Sequence, residues 1–385
     1  MDYFFDDFQK ELLDTANRIG REKIRPVAAQ YDRDGTFPWD LVKIFADSGF
    51  YGLWVPEEYG GVGRGVMDLV LVTEELSRWC GGIALSVAAS ALGTFPILIN
   101  GTKQQKDKYL PGLAEGKMLA AFGLTEPSAG SDAGSIQTRA VKKGDKYILN
   151  GTKVFITNGG EAKIYTIIAS TDPEKGSRGA TAFIVEEGTP GFSYGKEEDK
   201  MGIRASATRE LIFEDCEVPA ENMIGKEGEG FMVAMKTLDK SRPGVAAQAL
   251  GIAQGALDLA VQYAKQREQF GQSIASFQSI QNLLADMATE VEATRALLYA
   301  TTRMIDEGVK SFSKESAMCK VKASDVAMKV TTDAVQIFGG YGYMRDYPVE
   351  KFMRDAKITQ IYEGTNQIQR LVIARNIIKE ASKAS

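Results

Sequence analysis

The stretch KYILNGTKVFITN, residues 146–158, mixes β-branched and aromatic residues with polar ones in a way that is typical of a β-strand. Further short β-rich stretches occupy residues 164–170, 181–187 and 208–218. Asn-Gly, Gly-Asp and Asp-Pro dipeptides are expected to form the turns between the strands, and no long helical pattern intervenes. The sequence therefore predicts that residues 118–230 form an antiparallel sheet or small barrel rather than a βαβ nucleotide fold.

On both sides of this β region the apolar residues follow a helical period. The Gly-rich segment 54–65 follows no strand, so it is expected to be a turn and not a dinucleotide fingerprint. After the β region, several long helical patterns with short links suggest a bundle. One helical stripe is expected to pack in its core, and it consists of Ile280, Leu284, Met287, Val291 and Leu298. The patterns predict an α+β protein, mainly α, with domains at 1–117, 118–230 and 231–385.

The composition excludes several classes of function. The chain of 385 residues has a net charge of −5, which gives no indication of nucleic-acid binding, and it contains no histidine. Ser-His-Asp catalysis, Cys-His catalysis and the common His-ligated metal sites are therefore excluded. Proton transfer has to use Glu, Asp, Lys, Tyr or Cys side chains instead.

The cysteines and the N-terminus bear on the compartment. Cys80, Cys216 and Cys319 lie far apart and form no CxxC pair, which argues against a disulfide framework or a zinc site and favours a reducing compartment. The acidic N-terminal segment has neither the basic start of a signal peptide nor an Arg-rich transit sequence. No apolar run is expected to reach the length of a membrane span. The expectation is a cytoplasmic protein without a metal site.

Three stretches combine turn-rich junctions with residues suited to ligand binding. FGLTEPSAGSDAGS, residues 122–135, offers hydroxyls and N–H groups to a polar ring edge or a phosphate, or else is an ordinary capped loop. QIFGGYGYMRDYPVEKFMRD, residues 336–355, has glycines that permit close approach to a ligand, or that simply end a helix. In IYEGTNQIQR, residues 361–370, Glu363 is either a desolvated base or a carboxylate at a helix start, and Thr365 is expected to cap that helix.

All three stretches, in this order, resemble signatures of the acyl-CoA dehydrogenase family, and the resemblance covers essentially the whole chain. VFITNGG, LDKSRPG and REQFGQ also fall where that family has flavin and CoA contacts. The resemblance implies an N-terminal helical domain, a middle antiparallel β domain and a C-terminal four-helix bundle. It further implies a homotetramer, built as a dimer of dimers, with FAD between the middle and C-terminal domains.

The resemblance implies that Glu363 takes the α proton of an acyl-CoA while FAD accepts the β hydride, which gives a 2-enoyl-CoA. The Glu363 N–H and a flavin hydroxyl would hold the thioester oxygen, because the α C–H is otherwise too weak an acid. Electrons would pass to an electron-transfer flavoprotein. The alternatives are a flavin oxidase or monooxygenase of the same fold, and a flavoprotein scaffold without catalysis; acyl-CoA oxidases are usually much longer chains.

The same resemblance assigns further residues to the site. Thr125 and Thr157 would hydrogen-bond the flavin ring, Phe155 would pack on its face where many members carry Trp, and residues 267–270 would contact the flavin of a partner subunit. The implied FAD contacts are Phe122, Leu124, Thr125, Gly130, Ser131, Phe155, Thr157, Arg267, Gln269, Phe270, Gln278, Gln336, Gly339, Gly340, Thr365 and Gln367. The implied substrate contacts are Ser131, Asp239, Arg242, Tyr362, Gly364 and Arg375.

Two positions narrow the implied chemistry. Ser241 stands where some members carry the base on a C-terminal helix, and serine cannot replace that carboxylate. Ile83 stands near the place of an Arg that pairs with the distal carboxylate in glutaryl-CoA dehydrogenases, which disfavours a dicarboxylic substrate. The resemblance is strongest to short-chain bacterial members, so the expected substrate carries a short, branched or cyclic acyl group from fatty-acid, branched-acid or aromatic-acid degradation.

Overall fold

The computed structural model describes residues 3–384, and the N-terminal part of these residues is helical. Its helices are α1 (Asp7–Ile19), α2 (Ala28–Asp34), α3 (Trp39–Asp47), α4 (Val66–Ser77), α5 (Gly81–Asn100) and α6 (Lys103–Ala114). Asp6 and Thr102 start α1 and α6 as capping boxes, in which each side chain accepts from a backbone N–H one turn ahead. Segment 54–65 consists of turns around the 3-10 helix Glu57–Tyr59, so the turn prediction is confirmed.

The middle of the chain forms a twisted eight-stranded sheet. Its strands are β1 (Ala120–Gly123), β2 (Arg139–Lys143), β3 (Lys146–Thr157), β4 (Ile164–Ser170), β5 (Ala180–Glu186), β6 (Phe192–Glu197), β7 (Thr208–Pro219) and β8 (Met223–Ile224). The order across the sheet is β6-β7-β3-β2-β4-β5-β8, with β1 paired to β4. Most pairs are antiparallel, but β4 runs parallel to both β1 and β2. The predicted sheet is therefore mixed rather than antiparallel throughout, because a long connection and not a hairpin joins β1 to β4.

One predicted turn lies inside a strand. Strand β3 continues through Asn150 and Gly151, and its register with β7 shifts between Leu149 and Gly151. A Cβ at Gly151 would lie 2.6 Å from the Thr138 hydroxyl, and its φ of 148° suits glycine. The Asn-Gly pair therefore forms a β-bulge and not the predicted turn. The Gly-Asp pair at 144–145 does connect β2 to β3, as predicted.

The C-terminal part contains four long helices and one short helix. They are α7 (Gly230–Gln266), α8 (Gln278–Asp306), α9 (Ser313–Phe338), α10 (Val349–Thr359) and α11 (Asn366–Ala384). A small hairpin of β9 (Glu268–Gln269) and β10 (Gln272–Ser273) links α7 to α8. In the predicted stripe of α8, Met287, Val291 and Leu298 are buried, whereas Ile280 and Leu284 are half-buried against the same core.

Two hydrophobic cores join these parts. One core packs the N-terminal helices against the sheet and buries Phe95 and Phe183 completely. The other packs α4 into the C-terminal bundle. Helix α4 contributes Leu69 and Val72 to the first core and Val70 and Leu71 to the second, so the N-terminal helices bridge sheet and bundle. This arrangement fixes the two walls of the cleft that lies between sheet and bundle.

Two helices are long and apolar enough to cross a membrane by length and composition, contrary to the expectation from the sequence. They are α5, with a mean hydropathy of 1.9 over the best window, and α7, with 1.3. In both helices 78% of that window is buried inside the structure. A helix covered by protein on all sides is apolar all round, so burial in the two cores accounts for this composition.

Candidate active site

A cleft of about 580 Å³ lies between the sheet and the bundle. The loop after β1 and the end of β3 line one side of it. Helix α7, the start of α11 and the segment just before α11 line the other side, and residues 85–92 of α5 also contribute. Residues from two of the three stretches predicted to bind a ligand, 122–135 and 361–370, therefore line the same cleft. The second stretch, residues 336–355, does not line this cleft.

Glu363 projects from a strained turn. The Glu363 turn (residues 361–365) contains two successive left-handed residues, Glu363 with a φ of 53° and Gly364 with a φ of 93°. The left-handed conformation costs a residue with a side chain about 1–2 kcal/mol, so other contacts have to hold Glu363 in it. After the turn, the Thr365 hydroxyl accepts from the Ile368 N–H at 3.3 Å, as expected for a cap of α11.

Three helices hold the carbonyl groups of Glu363 and Gly364 in this turn. Arg242 Nε of α7 donates to the Glu363 carbonyl at 3.3 Å, and Gln369 Nε2 of α11 donates to the same oxygen at 3.0 Å. Lys320 Nζ of α9 donates to the Gly364 carbonyl at 2.9 Å, and Gln369 also reaches this oxygen. Within residues 3–384 the Glu363 N–H makes no hydrogen bond. The turn thus has fixed carbonyls, and the N–H of Glu363 itself is free beside its carboxylate.

The Glu363 carboxylate is half-buried, and its surroundings shift its titration. The Ser241 hydroxyl donates to Glu363 Oε2 at 2.5 Å. Burial raises the pKa of Glu363 above its ordinary value, although the hydrogen bond from Ser241 and the charges of Arg242 and Lys320 oppose this rise. A carboxylate of this kind is a stronger base than an exposed glutamate. Ser241 stands where some members of the resembled family carry the base, and here its hydroxyl contacts Glu363, the base that the sequence predicts instead.

The loop on the opposite wall is held by a buried ion pair. Glu126 accepts from the backbone N–H groups of Gln137 and Thr138 at 2.5 and 3.0 Å. Its Oε1 also accepts from Lys153 Nζ of β3 at 2.7 Å, and both side chains are buried. Burial disfavours the Glu126 carboxylate, but Lys153 and these hydrogen bonds outweigh it, so the pKa of Glu126 is lowered. The pair fixes residues 124–138, the 124–138 loop, against β3.

The rim of this wall fits a flat aromatic cofactor. Phe155 has a φ of 59° and leaves 69% of its side chain exposed, which places an uncovered aromatic ring at the cleft. Thr125 and Thr157 line the cleft beside it, and neither hydroxyl has a hydrogen-bond partner in the described part of the chain. An uncovered ring and two free hydroxyls on one wall suit the face and the polar edge of an isoalloxazine. The residues present therefore fit the expected FAD.

The structure divides the predicted site residues into groups. Those that line the cleft are Phe122, Leu124, Thr125, Gly130, Ser131, Phe155, Thr157, Arg242, Tyr362, Glu363, Gly364 and Arg375. Those that do not line it are Arg267, Gln269, Phe270, Gln278, Gln336, Gly339, Gly340, Thr365, Gln367 and Asp239. In the second group, the Arg267 guanidinium lies 5.3 Å from the centre of the Tyr341 ring, so the β9-β10 hairpin and segment 339–343 meet. These segments form a separate surface on the chain.

Asp239 and Arg242 contact each other rather than lining the cleft together. Arg242 Nη1 donates to Asp239 Oδ1 at 2.7 Å, and the Ser313 hydroxyl donates to the same oxygen. The Asp239 carboxylate is occupied by these two groups and is not a lining group of the cleft. Arg242 does line the cleft, and its contact with the Glu363 carbonyl makes it a support of the turn as well.

Several residues of the site were not predicted from the sequence. They are Glu126, Lys153, Lys320, Asn366 and Gln369. Glu126, Asn366 and Gln369 lie inside quoted motifs, but the lysines that contact Glu126 and Asn366 are distant in sequence. Lys153 lies on strand β3 and Lys320 on helix α9, and both side chains are buried in the protein. The one signal for them in the sequence was a lysine that interrupts a pattern of apolar residues.

Comparison with known proteins identifies relatives along the whole chain. The family models "Acyl-CoA dehydrogenase, N-terminal domain", "middle domain" and "C-terminal domain" match residues 6–117, 121–216 and 228–378. The chain is 51% identical to "Acyl-CoA dehydrogenase, short-chain specific" of Megasphaera elsdenii, over 98% of this chain and 100% of the relative.

Two solved structures are similar over nearly their full length. The structure of butyryl-CoA dehydrogenase from Megasphaera elsdenii superimposes with a TM-score of 0.96 at 51% identity, covering 98% of this chain and 100% of the other. A chain from "Electron transferring flavoprotein of Acidaminococcus fermentans: Towards a mechanism of flavin-based electron bifurcation" also gives a TM-score of 0.96, at 54% identity, covering 98% of this chain and 99% of the other.

Proposed function

Because the chain belongs to the acyl-CoA dehydrogenase family, we propose that it oxidises short-chain acyl-CoA thioesters to 2-enoyl-CoA products with Glu363 as the catalytic base. Family membership makes the protein an FAD-dependent oxidoreductase. The base, the substrate and the electron acceptor are the parts that we infer. The observation that carries the proposal is the Glu363 turn, which places a carboxylate of raised pKa and an unbonded N–H in the same cleft.

The α C–H of a thioester becomes acidic enough only when the developing enolate oxygen is stabilised. The Glu363 N–H has no partner in the described residues and is free to donate to that oxygen, while Arg242, Gln369 and Lys320 hold the carbonyls of Glu363 and Gly364. The Glu363 carboxylate takes the α proton at the oxygen that does not accept from Ser241. When bound, FAD supplies the acceptor for the hydride that leaves the β carbon.

We place the FAD ring against the wall formed by the 124–138 loop and the end of β3. There Phe155 would cover one face of the ring, and Thr125 and Thr157 would hydrogen-bond its polar edge. Of the remaining predicted FAD contacts, Thr365 and Gln367 lie next to Glu363 at the start of α11, and the others lie on the separate surface around Arg267 and residues 336–340. A homotetramer in which that surface meets the cofactor of a neighbouring subunit would bring both sets to the same FAD.

Two observations support a short acyl group. The relatives that resemble this chain over their full length include a short-chain-specific acyl-CoA dehydrogenase and a butyryl-CoA dehydrogenase. Leu85 and Ala89 of α5 pack with Ile203 against Tyr362, the residue before the base, and we infer that this cluster closes the acyl space. We propose straight short acyl groups first, and branched or cyclic groups of similar size second. An electron-transfer flavoprotein is the proposed acceptor, since a similar chain comes from a structure described as one.

Anaerobic titration of the FAD-loaded protein with CoA thioesters tests this function. Butyryl-CoA should bleach the flavin absorbance and yield the 2-enoyl-CoA, whereas a dodecanoyl or glutaryl thioester should bleach it far more slowly. Turnover should then require an electron-transfer flavoprotein or a one-electron dye. Rapid turnover with dioxygen alone would indicate a flavin oxidase instead, and failure of every thioester to bleach the flavin would indicate a scaffold without catalysis.

A further inference from the structure

We propose that Lys320 is a positioning residue for the base: its buried ammonium fixes the Glu363 turn and supplies positive charge to the Glu363 carboxylate. The inference rests on the proposed function, because it assigns a role relative to Glu363. It concerns a charged group that neither touches the cleft nor belongs to a recognised motif. Helix α9 carries Lys320 to the rear of the turn, on the side away from the substrate space.

The surroundings of Lys320 are unusual for a lysine. Its side chain has no solvent exposure, and no carboxylate lies within ion-pair distance of it in the described part of the chain. Its Nζ donates to the Gly364 carbonyl and to Asn366 Oδ1, each at 2.9 Å. Burying an ammonium group without a counter-ion is costly, and an apolar side chain would fill the same space at lower cost. A lysine held in this way is therefore a candidate for a functional role.

The contacts of Lys320 explain how it fixes the turn. Asn366, which accepts from Lys320, donates in turn to the Ser324 hydroxyl and to Asp325 Oδ1 at 2.8 Å each. These partners all lie on α9, so Lys320 and Asn366 attach the turn to one rigid helix. Because the Gly364 carbonyl is held, the peptide between Gly364 and the following residue cannot rotate. Glu363 is then kept in its left-handed conformation, with its N–H free.

The charge of Lys320 also acts on the base. The charged or titratable groups that act on Glu363, Lys320 or Arg242 are Asp239 and Arg242 on α7, Lys320 and Asp325 on α9, Arg370 on α11, and Tyr362 and Glu363 on the turn itself. Burial lowers the pKa of Lys320 to about 7, and the charge of Glu363 opposes this lowering. In return, the Lys320 charge lowers the pKa of Glu363 against the effect of burial. Removing this charge has to raise the pKa of Glu363 further.

The test compares Lys320→Met with the wild type by anaerobic bleaching with butyryl-CoA and by the pH dependence of kcat/KM. Because a base displaced by about 1 Å loses up to ~10²-fold in rate, we expect Lys320→Met to slow bleaching by about ten- to a hundredfold. The acidic limb of the kcat/KM profile should move to higher pH. Lys322→Met removes a half-buried lysine of the same helix, paired with Glu290, and should change neither property.

Two further variants separate the effect of holding the Glu363 turn in position from the effect of the Lys320 charge. Gln369→Leu removes hydrogen bonds to both carbonyls without changing the net charge, so it should slow bleaching and leave the acidic limb in place. Lys320→Gln keeps a donor and removes the charge; it should move the limb and serves as the test if Lys320→Met does not fold. A wild-type rate and an unmoved limb in Lys320→Met, or in Lys320→Gln, would overturn the inference. Absence of bleaching in the wild type would instead overturn the proposed function.

Discussion

The 124–138 loop and the Glu363 turn face each other across the cleft, and each is fixed by a lysine without solvent exposure. Lys153 bonds the carboxylate of Glu126 at 2.7 Å, whereas Lys320 bonds only carbonyl and amide oxygens. The first lysine has its charge balanced by an adjacent partner. The second has no adjacent counter-ion, and its charge acts on the Glu363 carboxylate without a direct contact. The comparison indicates that a balanced buried charge holds a loop in place, while an unbalanced one can also adjust a neighbouring acid.

The largest expected effect is a loss of stability when Lys153 is removed and the Glu126 carboxylate remains. Lys153→Met leaves the Glu126 carboxylate buried without its partner, so the free energy of unfolding should fall by about 3–5 kcal/mol. Urea denaturation of the FAD-loaded protein measures this change. The double variant Lys153→Met with Glu126→Gln removes both charges and should recover much of the loss. A single variant as stable as the wild type would contradict the role of the pair.

A smaller effect is expected from crowding the turn. Gly364 has a φ of 93°, and a Cβ there would lie 2.4 Å from Gln369 Nε2. Gly364→Ala should therefore cost about 1–2 kcal/mol of stability from backbone strain and slow flavin reduction about tenfold or more by moving Glu363. Gly308→Ala is the control, because Gly308 also has a positive φ, of 77°, but no atom within 4 Å of an added Cβ. Equal reduction rates in both variants would show that the turn does not govern the base.

On the wall formed by the 124–138 loop and the end of β3, a substitution is expected to change FAD affinity alone. Phe155 is exposed, so Phe155→Ala should leave the stability of the protein without FAD almost unchanged. Loss of a stacked ring should weaken FAD binding by about 0.5–1.5 kcal/mol, measured by titration of flavin fluorescence. Val141→Ala, which shortens another exposed apolar side chain of the sheet, should bind FAD like the wild type. Unchanged FAD affinity in Phe155→Ala would place the flavin elsewhere.

The smallest expected effect appears in the wild type itself. Burial raises the pKa of Glu363 above its ordinary value of 4.5. The carboxylate is the active form, so kcat/KM should fall as the pH falls through this raised pKa. The fall should begin at higher pH than for an exposed glutamate. A profile of kcat/KM against pH with its acidic limb at the ordinary value would show that Glu363 is solvated or is not the base.

Much of the fold follows from local patterns. The β-branched and aromatic residues of 146–158 predicted β3, and the helical period after residue 231 predicted the bundle, because both signals lie within one stretch of the sequence. The exceptions are non-local. Neither the parallel pairing of β4 with β1 nor the bulge at Gly151 can be read from a single strand, since each depends on which partner the strand meets.

The candidate site shows the same division. Glu363, Thr125 and Phe155 were found because they lie in short motifs, and the cleft brings them together. Lys153 and Lys320 were missed because each acts on a segment far away in sequence, Lys153 on Glu126 and Lys320 on Gly364. A buried lysine inside an apolar pattern is a weak signal until the structure shows which oxygen atoms surround it.

The central claim is that Glu363 is the base, and the Glu363→Gln variant tests it most directly. Glutamine has nearly the same size and cannot accept a proton, so the variant should keep its FAD. Stopped-flow bleaching by butyryl-CoA under anaerobic conditions should then be slower than in the wild type by about 10²–10⁴-fold. Bleaching at the wild-type rate, with full FAD content, would contradict the assignment and require another group to take the proton.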